Sequence, residues 1–461
     1  MRHIGVENRN LVKGAQATLR CPKSRNRTTP FLVVAAFTVL VGLPVHAAVG
    51  PSDSERIGDL ERKLERSQQI IEEMAARILK LETLGARHEA GISNAPPTPS
   101  STPTQAAAGA AGSPPGGERA PADPGVGLSL LGTPLHGFAD VGGVLTRDKR
   151  RRKGFTVGSL DFYLTPELGS NVKGVVELLF EVDSEGSLAV DLERLQFGYA
   201  FGDYLTAWLG RFHTPLGYWN TAFHHGQQIQ TSVRRPQFLD FEDKGGILPV
   251  HLVGLWGAGG VGLGDGKLTY DLFLANAPSI EDAVLTMNMA GATQFRPSYG
   301  ANIGYAFRGA LDGFKAGLHW LRGNVQDVTA SNWTALNITG GYLLYTEEPW
   351  ELISELYRFD NKDLKGKTGT HGSWALAGQL ARTFGRWTPY GRGEWAGLNQ
   401  RDPYFRDMES GRSYTRGAFG IRYDLTAKAA LKFEIRRTMT REVTGGRHGE
   451  TAGETQFSIR F

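Results

Sequence analysis

From Leu135 to the C-terminus, apolar and polar residues alternate with a period of two. In Leu431 to Ile435, the apolar Leu431, Phe433 and Ile435 are separated by Lys432 and Glu434. In the last segment, Phe457, Ile459 and Phe461 are separated by Ser458 and Arg460. Successive side chains of a strand point to opposite faces, so each segment has one apolar face and one wet face. Segments of about ten residues with this alternation are the signature of transmembrane β-strands. The pattern predicts sixteen, beginning near Leu135, Phe155, Val172, Val190, Leu205, Val250, Leu268, Tyr299, Phe314, Ala335, Trp350, Gly372, Trp387, Tyr414, Ala429 and Thr455. An even number closes a bacterial barrel without a free edge. The fold class expected is therefore all-β, a transmembrane antiparallel β-barrel over 127–461.

The connections alternate in length. Gly202-Asp203, Gly264-Asp265-Gly266, Glu347-Glu348-Pro349 and Gly385-Arg386 read as tight turns. Longer connections are expected near 146–153, 212–249, 277–298, 359–371, 396–413 and 438–453. Short periplasmic turns and long outer loops are the usual asymmetry of such barrels. Aromatic residues flank the short turns: Phe201 and Tyr204, Phe307 and Phe314, Tyr345 and Trp350, Phe384 and Trp387. An interfacial aromatic girdle leaves that trace. A soluble sandwich or propeller shares the alternation but explains neither the girdle nor a strand ending on Phe461.

The pattern changes upstream. Residues 90–126 are rich in Pro, Ala, Gly, Ser and Thr and cannot bury a core, so they read as a flexible linker. In 48–89 the period is 3.5. Ile57, Leu64, Ile71 and Ile78 occupy the a positions of a heptad, and Leu60, Ser67, Met74 and Leu81 the d positions. Ser52-Asp53-Ser54-Glu55 supplies a capping box before this run, and Gly85 ends it. The segment predicts a short coiled coil. A helix packed on the barrel is the alternative. Phe31 to Val45 is a short apolar run preceded by Arg20, Lys23, Arg25 and Arg27 and followed by Val45-His46-Ala47. That is the plan of a secretory signal peptide over 1–47.

Composition sharpens this picture. Among 461 residues, 60 are Gly and mean hydropathy is −0.28. A helical membrane protein needs several apolar runs of about 20 residues, and only the leader run comes near that. Seven basic residues and one acid precede Ala48, so cleavage takes the formal net charge from +4 to about −2. The pI of about 9.0 then gives no support to nucleic-acid binding. The single cysteine, Cys21, leaves with the leader, which removes disulfides, thiolate metal sites and Cys nucleophiles from consideration.

Three short motifs carry a family resemblance. Gly210-Arg211-Phe212-His213-Thr214-Pro215-Leu216-Gly217 at the end of the fifth strand resembles a motif of the phosphate-selective porin O and P family. Leu195-Gln196-Phe197-Gly198-Tyr199 and the run Leu268 to Asn276 are similar to its flanking patterns. Trimeric porins with an N-terminal coiled coil look closest in overall plan. The resemblance implies a sixteen-stranded homotrimeric barrel in which the third long loop folds into the lumen. Here the third long connection is also the longest. The partners expected for such a barrel in the outer membrane are lipid and lipopolysaccharide.

That loop, 212–249, carries His213, His224, His225, Arg234, Arg235, Asp240, Glu242, Asp243 and Lys244. Facing charges of opposite sign at a constriction select by charge and size. Arg234, Arg235, Asp240, Glu242, Asp243 and Lys244 are the candidate constriction residues; the bland reading is that they only pin the loop to the wall. Strand phase makes Lys173, Arg194, Lys315, Arg392, Arg422, Lys432, Arg436 and Arg460 lumen-facing bases. Asp161, Glu177, Glu181, Asp271, Glu351, Glu355, Glu394 and Glu434 are the matching acids. The two sets are equal in size, whereas the phosphate-selective family uses strongly basic pores. The expectation is therefore only a weak preference for anions.

Arg147 to Lys153 is a dense basic run on the first outer loop. It could attract anions, bind lipopolysaccharide phosphates, or form a solvated tip. His224-His225 falls short of the three or four ligands that zinc takes. His213 and His251 would join it only if the loop folds back, so no metal and no cofactor is assigned. No nucleophile–base arrangement or catalytic motif stands out, so no enzyme is expected. The function expected is a passive channel for small hydrophilic solutes. The rival is an envelope tether, with the N-terminal segment contacting the cell wall.

Overall fold

A computed structural model describes residues 129–130 and 133–461, apart from 167, 183–185, 224–225, 292–294 and 444. The leader, coiled coil, linker and His224-His225 lie outside the described residues.

Sixteen long strands follow one another. They are β1 Thr133–Thr146, β2 Gly154–Leu164, β3 Val172–Val182, β4 Leu188–Gly202, β5 Leu205–His213 and β6 His251–Leu263. Next come β7 Gly266–Ala275, β8 Ser298–Ala306, β9 Phe314–Asp327, β10 Asn332–Tyr345 and β11 Trp350–Asp363. The last are β12 Thr370–Arg382, β13 Trp387–Gly397, β14 Tyr414–Thr426, β15 Ala429–Arg441 and β16 Arg447–Arg460. Each pairs antiparallel with the next, and β16 pairs back onto β1, Phe457 opposite Val141. Closure pairs the backbone groups of neighbouring strands around the whole ring, which is the condition for crossing lipid with strands; the ladder between β4 and β5 stops short, at Leu195 opposite Arg211.

All sixteen segments expected from the alternation are strands. The ends differ. Loops were expected at 359–371 and 438–453, but β11 runs to Asp363, β12 resumes at Thr370, β15 runs to Arg441 and β16 begins at Arg447. In these extensions both faces are largely polar, Phe359 and Met439 aside, so the alternation fades while the ladder of backbone hydrogen bonds continues. Side-chain pattern reports the solvent on each face, not the pairing.

The outward phase is apolar along the wall. Val141, Val157, Leu209, Leu318, Phe419 and Ile435 are among many large apolar residues left exposed. A continuous apolar surface of this kind is unstable in water and is the outer band of a membrane barrel. At the short-turn end lie the exposed Phe201, Tyr204, Trp350, Phe384 and Trp387. The Arg382 guanidinium sits 4.8 Å from the ring centres of both Trp350 and Phe384. These features place the chain in an outer membrane with that girdle at one interface.

The C-terminal residue locks the closure. Phe461 and Gly137 exchange backbone hydrogen bonds of 3.0 and 3.1 Å, and the Phe461 ring packs edge-on against Phe162 at 5.8 Å. A Cβ on Gly137 would lie 2.5 Å from both the Phe461 ring and the Asp161 carbonyl oxygen. Gly137→Val is therefore expected to destabilise the seam by overpacking, by about 1–3 kcal/mol or more. The check is the heat-modifiable folded band on a denaturing gel, which should shift to the unfolded position at lower temperature; an unchanged shift temperature would mean that the seam relaxes without cost.

The hydrophobic core lies inside the barrel. Leu216, Trp219, Phe223, Phe238, Leu239 and Ile247 from the connection between β5 and β6 pack against inward residues such as Leu321, Ile338, Tyr357 and Phe359. Tyr404 and Phe405, from the helical turn Pro403–Arg406, join them.

Candidate functional site

The connection 214–250 between β5 and β6 folds into the lumen. It turns at Gly217, whose φ of +74° suits glycine, and forms a single helical turn, Trp219–Ala222. The buried Glu355 on β11 holds that turn. Its Oε1 accepts the backbone N–H of Tyr218 (3.1 Å) and Trp219 (2.6 Å), and its Oε2 accepts the Tyr357 hydroxyl (2.6 Å).

The rest of the loop is tied to β13–β16 by a regular division of labour. Wall acids and tyrosines accept from loop N–H groups. Val233 donates to the Tyr390 hydroxyl (3.1 Å), Gln237 to Glu394 (2.8 Å) and Phe238 to the Tyr414 hydroxyl (3.1 Å). Wall bases donate to loop carbonyls: Arg392 to Arg234 (2.5 Å), Arg422 to Gln228 (2.7 Å) and Lys432 to Ser232 (3.2 Å). Charged donors and acceptors make the stronger hydrogen bonds of this kind. The loop is irregular backbone inside a barrel, which is tolerable only because its polar groups find such partners.

The predicted lumen-facing bases thus divide. Arg392, Arg422 and Lys432 are covered by the loop they hold; the Arg392 side chain has no exposed surface, and Lys432 is fully buried. Arg194 pairs with the buried Glu177 on β3. Lys173 donates to the Ser170 carbonyl at 3.3 Å, near a short turn. Lys315 lies 6.0 Å from the Tyr342 ring centre.

The six candidate constriction residues divide as well. Arg235 and Glu242 are engaged within the loop and its return to the wall. Arg235 is buried, donates to the Phe223 carbonyl (2.9 Å) and lies 4.4 Å above the Phe241 ring. Glu242 accepts the N–H groups of Val250 (2.6 Å) and His251 (2.9 Å) and bonds His251 Nδ1 at 3.0 Å. Both residues shape the loop, because a chain folded through a lumen needs internal partners for its own turns. Arg234, Asp243 and Lys244 are exposed, and Asp240 is half-buried.

The exposed members face β16 and β3. Arg234 Nε bonds Glu454 Oε2 at 2.7 Å, and Lys244 pairs with Glu181. In each pair the cation has more contact with water: 48% against 2% for Arg234 and Glu454, and 35% against 17% for Lys244 and Glu181. Arg436 and Arg194 are likewise more exposed than their partners Glu454 and Glu177. Sequence reasoning missed Glu454 and the anchoring Tyr357, Tyr390 and Tyr414. The available signal was tyrosine at the inward phase, where a lumen open to water has no use for an apolar ring.

The basic run on the first outer loop is partly engaged. Arg150 pairs with Glu442 (3.1 Å) and Arg151 with Glu450 (3.4 Å), both from the β15–β16 hairpin. The Arg150 backbone N–H, followed by His448, holds the Asp148 carboxyl below its usual range.

A closed sixteen-stranded antiparallel barrel with its longest loop folded inward is the architecture of outer-membrane porins. The chain aligns with the anion-selective porin from Comamonas acidovorans with a TM-score of 0.50 at 13% identity, covering 71% of this chain and 99% of that one. Against the outer-membrane channel DcaP of Acinetobacter baumannii, the TM-score is 0.48 at 13% identity, covering 73% and 99%. Against Salmonella typhi OmpF in complex with daunomycin, it is 0.46 at 11% identity, covering 71% and 97%. No protein-family model and no curated protein matches the sequence.

Proposed function

We propose that this chain is an outer-membrane diffusion channel, not an enzyme, which passes small hydrophilic solutes and weakly favours anions such as phosphate or organic acids. The observation that carries the reading is the exposure order in the rim pairs. Arg234 and Lys244 meet water, while Glu454 and Glu181 stand behind them. A passing ion meets the cation first and sees the carboxylate at greater distance. The resemblance of residues 210–217 to phosphate-selective porins points the same way.

The reading includes a cleaved leader, assembly as a homotrimer supported by the coiled coil, and contact of the outer surface with lipopolysaccharide. A tethering role through the N-terminal segment is the second reading, favoured by the Pro-rich linker between coil and barrel. Single-channel recording of the refolded protein in planar bilayers tests the proposal. Stepwise openings in multiples of three, with a reversal potential of anion-selective sign in a salt gradient, are expected. Folded barrels that carry no current would overturn the channel and favour the tether. Current with a cation-selective sign would overturn the anion preference alone.

A further inference from the structure

Pairing between β4 and β5 stops at Leu195 opposite Arg211. Above that point the residues of β4 remain paired to β3, and Phe212 and His213 pair only with β6. The wall therefore splits near the outer mouth, and a polar cluster fills the split. His213 and His251 face each other directly across β5 and β6, their rings 4.9 Å apart. Glu193 lies where the β3–β4 register shifts by one residue, a bulge that re-aims its side chain. One potential ligand atom from each of Glu193, His213 and His251 lies within 4.8 Å of the others. His251 Nε2 is 2.8 Å from Glu193 Oε2.

We propose that Glu193, His213 and His251 bind a divalent transition-metal ion of the zinc class. Two imidazoles and one carboxylate, with a fourth position left to water, form a recurring zinc donor set. The surroundings match. Glu242 bonds His251 Nδ1 at 3.0 Å, which directs Nε2 to the ion, and it also accepts two backbone N–H groups. A carboxylate behind a ligating histidine fixes its tautomer and orientation. Charge leaves room for an ion that takes the place of a proton. Asp191, Glu193 and Glu242 bring three carboxylates to the cluster; Arg211, 3.2 Å from Asp191 and 3.3 Å from Glu193, returns one positive charge, and His251, held between Glu193 and Glu242, returns a second while it is protonated, a proton that the ion would displace from Nε2. Glu193 and His251 are buried and His213 is half-buried, which leaves the entry on the His213 side. Glu242 belongs to the lumen loop, so an occupied site would fasten that loop's return to the wall.

The test uses the full-length refolded protein without a histidine tag, stripped with a chelator and titrated with Co2+ and then Zn2+. One equivalent of Co2+ per chain, with the strong visible absorption of a tetrahedral site, is expected, and Zn2+ should displace it. Glu242→Gln should weaken binding about 10–100-fold. His213→Ala should abolish the absorption while the barrel still folds, as judged by heat-modifiability. A His224→Ala/His225→Ala variant should keep it. Folded wild-type protein without that absorption, or a signal lost with His224 and His225 and kept in His213→Ala, would overturn the site.

Discussion

Glu355→Ala is expected to release the inner loop and enlarge the conductance. The carboxylate holds two backbone donors and one hydroxyl in a buried setting. Its removal leaves the Tyr218 and Trp219 N–H groups without acceptors, at about 1–3 kcal/mol for each buried donor. The first helical turn of the loop then loses its fastening to β11, and Trp219 loses its fixed place in the core. The measurement is single-channel conductance together with open-channel noise; both should rise. Glu355→Gln keeps an acceptor oxygen and should fall between. If Glu355→Ala folds and conducts like the parent, the remaining contacts to β13–β16 are sufficient to hold the loop.

Reversing Arg234 and Lys244 together is expected to invert the ion preference. Each change to Glu moves the rim by two unit charges beside a carboxylate that is already present. One unit charge at about 4 Å is worth about 1 kcal/mol in water. The permeability ratio of anion to cation should therefore change on the order of tenfold or more per reversed site at low salt, and less at high salt, where screening shortens the reach of exposed charges. Reversal potentials in a salt gradient measure this directly. Arg234→Gln with Lys244→Gln should reach only the neutral midpoint. An unchanged potential would place the selecting charges elsewhere on the wall.

Much of the fold was legible in the sequence because lipid imposes a local rule. Every membrane-crossing residue must point to hydrocarbon or to the lumen, so Leu431, Phe433 and Ile435 announce their strand with no knowledge of its neighbours. The turn-flanking Trp350 and Phe384 mark the interface for the same reason. The rule fails where both faces meet one medium. The polar extensions around Asp363 and Arg447 read as loop, although their backbones stay paired.

The site was legible only in part. The position and charge of the loop between β5 and β6 stood in the sequence, and so did the inward phase of Arg392, Arg422 and Lys432. What each charge does depends on what covers it. The folded loop removes Lys432 and Arg392 from water and leaves Arg234 and Lys244 in it, a distinction made by residues some 150 to 220 positions away. Glu193, His213 and His251 come together through a bulge and a cross-strand register, neither of which has a local signal. The sequence by itself determined the barrel, because a period of two answers to solvent alone. Only the tertiary structure decided which charges stay in contact with water and which hold the loop, because burial of a side chain is a property of the whole chain packed around it.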